Sequence, residues 1–134
     1  MERAIAYLTD VKDLSELLDG ATIDQVRTTS TPSGAEVILE LTRGMLERQT
    51  VVRQGLFRRA KMPWTKCRLT LQGAKELVVQ RATDVPPDQP LINCEAVLGG
   101  YHCTVQGTDG LFLSFKLDQL QGLFTDVGSP IESP

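Results

Sequence analysis

The feature that most constrains the fold is a two-residue alternation of apolar and polar side chains that recurs along the chain between turn-forming residues. In Cys67-Arg68-Leu69-Thr70-Leu71 the odd positions are apolar and the even ones polar. Val37, Leu39 and Leu41 alternate in the same way with Glu36, Ile38 and Glu40. Successive side chains of a strand point to opposite faces, so such runs describe strands with one face buried and the other solvated. Thr31-Pro32-Ser33-Gly34 supplies a turn between Thr22–Thr29 and Val37–Leu41, predicting a hairpin.

Further along, Gln72-Gly73 reads as a turn between the 67–71 strand and a second strand over Glu76–Gln80. Asp84 to Pro90 holds three prolines, which cannot donate ladder hydrogen bonds, and reads as a loop. Leu91 to Leu98, a Gly99-Gly100 turn, His102 to Gln106, a Gly107–Gly110 turn and Leu111 to Lys116 form an antiparallel meander. Only the start is helical. Thr9 is the expected N-cap, Asp10 suits the positive helix end, and Leu14, Leu17 and Leu18 recur at helical spacing before Gly20, which gives a short helix over about residues 10–19. Residues 43–63 fit either an interrupted helix or a strand pair turning near Gly55. The expected architecture is α+β and predominantly antiparallel β, a curved sheet or small sandwich with one N-terminal helix. It forms a single domain over residues 1–127 with a flexible tail at 128–134.

Composition supports a packed domain. The chain has 134 residues, 41% hydrophobic and 23% charged, enough apolar side chain for an ordinary core. No apolar run reaches the length of a membrane helix and the N-terminus lacks a signal-peptide pattern, so the expected location is cytoplasmic. Three cysteines, Cys67, Cys94 and Cys103, are odd in number and match no zinc spacing, and they read as free core thiols.

Catalytic readings find little support. The single histidine, His102, adjoins Cys103 on a strand, and strand neighbours face apart, so the two cannot act on one another. No phosphate loop, nucleophile elbow or zinc-protease motif occurs, and no cofactor or metal is expected. The chain reads as non-catalytic.

Charge is the remaining lead. From Arg43 to Arg68 lie eight basic residues against the single acid Glu47, a net +7, which leaves −10 elsewhere in a chain of net charge −3. Candidate binding residues are Arg43, Arg48, Arg53, Arg58, Arg59, Lys61 and Trp64. The arginines recur every five residues, a period that keeps them on one face of neither a helix nor a strand. Besides a solvated face, the segment suits docking on an acidic protein surface or phosphate contact with nucleic acid. A sequence pI near 5.1 speaks against the latter.

The order Thr22-Ile23-Asp24-Gln25-Val26, then Trp64, then Arg68-Leu69-Thr70-Leu71-Gln72-Gly73-Ala74-Lys75-Glu76-Leu77, then Gly110-Leu111-Phe112-Leu113-Ser114-Phe115 resembles the immunity protein 50-type family of small bacterial proteins. The overlap covers about residues 20 to 126. Ile23 stands before Asp24 where such proteins often carry His, and the basic insertion matches no family motif. The resemblance implies a non-catalytic inhibitor of a toxin and assigns no contact residue. The leading expectation is therefore a macromolecule-binding protein with a protein partner, the alternatives being a nucleic-acid-associated protein using residues 43–68 or a small-ligand-binding β domain. The open edges of such a sheet also allow a homodimer.

Overall fold

The computed structural model of the chain describes residues 2–44, 50–54, 57–61, 63–81, 90–107, 110–127 and 131–132, and of 50–54, 57–61 and 131–132 the backbone alone. In chain order, β1 (Glu2–Ile5) leads to α1 (Leu8–Leu17), the pair β2 (Thr22–Thr31) and β3 (Gly34–Gly44), and the pair β4 (Thr50–Gln54) and β5 (Phe57–Lys61). Then come β6 (Pro63–Arg81), β7 (Ile92–Val97), β8 (Gly100–Gln106), β9 (Leu111–Leu117), β10 (Gly122–Asp126) and β11 (Ile131–Glu132). All the strand pairings are antiparallel. The architecture is the expected α+β one, a curled half-barrel of antiparallel strands with one short helix near the N-terminus.

The alternation read in the sequence sets the inward face. Val37, Leu39 and Leu41 of β3, and Cys67, Leu69 and Leu71 of β6, are fully buried. Leu39 is the register partner of Leu69, which in turn faces Phe124 of β10, so three strands set buried apolar side chains in one row. Val105, Leu113, Phe115 and Leu117 continue the core across β8 and β9.

The expected break at Gln72-Gly73 is instead a bend within one 19-residue strand. Gly73 (φ +76°) and Glu76 (φ +53°) take left-handed backbone conformations, and the pairing slips between Lys75 and Val78. Before the bend β6 pairs with β3 and β10; after it, with β9. Between the two, the Gln72 N–H donates to the Gln121 carbonyl at 2.9 Å, so the ladder is carried through the corner. A turn-forming glycine here curls the sheet without ending the strand.

The helix begins two residues earlier than expected. Tyr7, and not Thr9, is the N-cap, because Asp10 occupies the third helical position and its Oδ2 accepts the N–H groups of Ala6 (3.0 Å) and Tyr7 (2.9 Å). That is the acidic half of a capping box. The same two hydrogen bonds hold the Asp10 carboxyl below its ordinary pKa. Val11, Leu14 and Leu18 enter the core, packing α1 against β7 and β1.

Residues 50–61 take the strand-pair alternative: β4 and β5 form a two-stranded sheet of their own. The turn at Gly55 lies outside the described residues, as does most of the proline-rich loop. In the segment expected to be a flexible tail, Ile131 and Glu132 pair with Trp64 and Pro63 of β6.

Candidate functional site

The seven candidate binding residues do not form one surface. Arg43 is the clearest correction: its side chain is wholly buried. It continues the inward series Val37, Leu39, Leu41, and it reaches across β6 to β10, where its Nε and Nη2 donate to Asp126 Oδ1 (3.0 Å) and Oδ2 (2.9 Å). This two-pronged pair caps the end of the core together with buried Thr65. Arg43 is thus a structural cation. Arg48 lies outside the described residues. Trp64 is half-buried at the start of β6, between Gly44 of β3 and Ile131 of β11.

Beneath the Arg43–Asp126 pair sits Cys67. Burial pushes its thiol up to about 12, with the negative charge of Asp126 adding to the rise and the positive charge of Arg43 opposing it. The native protein therefore exposes no reactive thiolate at this position. Iodoacetamide at pH 8 is expected to modify Cys67 on the order of 1,000-fold more slowly in the native than in the urea-unfolded protein. Native labelling within tenfold of the unfolded rate contradicts this account.

The basic residues that follow on β6 are held by acids of the same outer face. Lys66 Nζ contacts Asp24 Oδ2 (3.0 Å) and Thr42 Oγ1 (2.8 Å), and Thr42 in turn donates to Asp24 at 2.6 Å. Partial burial tends to raise the Asp24 pKa, but the hydrogen bonds from Thr42 and Lys66 and the Lys66 charge outweigh it and hold the carboxyl below its ordinary value. One residue pair along, Glu40 Oε1 accepts from Arg27 (2.6 Å) and Arg68 (3.0 Å). Such exposed pairs each contribute little to stability, about 0–1 kcal/mol, but they neutralise the flank of the basic segment.

What remains of that segment is the β4–β5 ribbon. Residues 48–61 carry Arg48, Arg53, Arg58, Arg59 and Lys61 and no acid. The register sets Arg53 opposite Arg58, Val52 opposite Arg59 and Thr50 opposite Lys61. Among the described residues, neither strand pairs with any other. In chain order the ribbon lies between β3 and β6, and it carries four of the eight basic residues of the 43–68 segment.

The cysteines correct another expectation. Cys94 of β7 and Cys103 of β8 are register partners, with Cα atoms 4.2 Å apart, and form a disulfide; only Cys67 is free. The thiol count accordingly no longer argues for a reducing compartment. His102, on the opposite face from Cys103, pairs its Nε2 with Ser114 Oγ at 2.9 Å. Among the described residues no cluster of His, Cys, Asp or Glu is arranged to hold a metal ion, and no helix is long and apolar enough to cross a membrane.

One concavity escaped the sequence reading altogether. A cleft of about 300 Å³ opens between α1 and the start of β7, bordered by Val11, Lys12, Ser15, Glu16, Asn93 and Cys94. Val11 and Ile92 of the core form part of its wall. No protein family matches the chain, and no curated protein or solved structure is significantly similar to it.

Proposed function

We propose that this chain is a non-catalytic binding protein that docks on an acidic surface of a partner protein through the β4–β5 ribbon. The observation that carries the reading is the register of Arg53 against Arg58 on a two-stranded ribbon paired with no other described strand. Two-stranded hairpins are marginal alone, and like charges placed directly opposite weaken them further. An acidic partner surface would offset that repulsion.

A protein partner is favoured over nucleic acid because the positive charge does not spread beyond the ribbon. Arg43, Lys66 and Arg68 are held by Asp126, Asp24 and Glu40, and the chain outside 43–68 is strongly acidic. A long polyanion would meet that acidic body, whereas a compact acidic patch would not. The resemblance to small bacterial immunity proteins supports a toxin as the partner and the bacterial cytoplasm as the setting.

The test compares the wild type with the triple variant Arg53→Glu, Arg58→Glu, Arg59→Glu as bait in its native lysate, with and without nuclease. The wild type is expected to retain one acidic protein in both halves. The variant, with an unchanged circular dichroism spectrum, is expected to bind it roughly 10- to 100-fold more weakly. Equal retention by both baits sinks the proposal, and retention abolished by nuclease transfers the ribbon to nucleic acid.

A further inference from the structure

Strand β7 is poorly held by packing. Ile92 is its one fully buried side chain; Cys94 is half-buried, and Glu95, Ala96 and Val97 are exposed. Among the described residues it pairs on one edge with β8 and packs against α1. Cover from the helix therefore ends at about the position where Cys94 is cross-linked to Cys103. The covalent bond stands where apolar burial gives out.

The two sulfurs are not equivalent. Cys103 is fully buried on the core face of β8, whereas Cys94 borders the open cleft beside α1. A thiolate approaching from solvent meets Cys94 first. Lys12 and Glu16 both border that cleft, so its charge is balanced and a small anionic thiol is not repelled as it would be from an acidic groove.

We propose that Cys94 is a site of reversible thiolation by small-molecule thiols, and that opening its bond to Cys103 loosens β7 and α1 while the rest of the half-barrel stays folded. In the first step a thiolate attacks Cys94 Sγ, a mixed disulfide forms there, and Cys103 leaves as a thiolate that takes a proton from water. A second thiol then attacks the mixed disulfide, releases the oxidised small disulfide, and leaves Cys94 reduced. The effect is local because the rows from β3 through β6 to β9 and β10 are joined by pairings in which neither cysteine takes part.

The experiment takes the full chain, isolated without reductant, and treats it with limiting glutathione and then with excess dithiothreitol. Adduct mapping by mass spectrometry is combined with amide hydrogen exchange. The glutathione adduct is expected on Cys94. Full reduction is expected to speed exchange about tenfold or more in β7 and α1, and to leave Val37–Leu41 and Leu69–Leu71 unchanged. The variant Cys94→Ser should reproduce the faster exchange without any reductant. Three free thiols in the untreated protein, an adduct on Cys103, resistance to reductant short of unfolding, or exchange that is unchanged or accelerated everywhere overturns the proposal.

Discussion

Replacing Asp126 with alanine is expected to lower the free energy of unfolding by about 3–5 kcal/mol, the usual cost of breaking a buried ion pair from one side. The reason lies in Arg43, whose side chain is fully buried and donates to both Asp126 oxygens, at 3.0 and 2.9 Å. Removing the carboxylate takes a two-pronged counter-charge away from a desolvated cation. The double variant Arg43→Met, Asp126→Leu is expected to cost less than Asp126→Ala alone, because an apolar pair of similar size removes the charge along with its partner. Urea unfolding of the wild type, the single variants and the double completes the cycle. A loss under about 1 kcal/mol for Asp126→Ala contradicts this account, as does a double variant as damaged as the sum of the singles.

Phe124→Ala is expected to cost a similar amount, about 3–5 kcal/mol, through lost burial and the cavity left behind. Phe124 is fully buried and faces Leu69, itself the partner of Leu39, so its ring closes the row shared by three strands. Its neighbour Leu123 points to the other face and is 41% exposed. Leu123→Ala is therefore expected to fall within about 0.5–1 kcal/mol of the wild type. The contrast between adjacent positions tests the register of β10 directly. Comparable losses at 123 and 124 rule it out. In a domain whose whole stability is typically about 5–15 kcal/mol, either core change removes a large share.

Much of the fold was legible where alternation was strong. Val37, Leu39, Leu41, Cys67, Leu69 and Leu71 are buried as their spacing requires, and Pro32-Ser33 closes the first hairpin. The same rule carried one step further places Arg43 inward. The charge count hid this, since grouping arginines by sequence distance ignores which face each occupies. Its partner, Asp126, lies 83 residues away, beyond the reach of any local pattern.

The disulfide was hidden by a turn displaced one residue. A turn at Gly99-Gly100 sets Leu98 opposite Tyr101 and leaves Cys94 facing Val105. The turn at Leu98-Gly99 sets Val97 opposite Gly100 and brings Cys94 opposite Cys103. Gly99 (φ +87°) takes the second turn position, and Gly100 is required for another reason: a Cβ there would meet the Leu117 carbonyl. Two adjacent glycines with different duties made the register ambiguous. The ribbon at 50–61 was legible only as one of two options, because Gly55 weakens a helix and also suits a hairpin.

The pairing of β1 with β10 joins Glu2 to Thr125 and Ile5 to Gly122, and β6 draws its partners from chain segments on both sides of it. Contacts of such long sequence separation are slow to form, since a large loop closes before any stabilising contact repays its entropy. On a ribosome, β1 is made before its partner and pairs only after more than a hundred further residues have followed it. Until then an unpaired strand and the apolar side of α1 remain open to other chains, the kind of exposure that makes a partly made chain prone to aggregate.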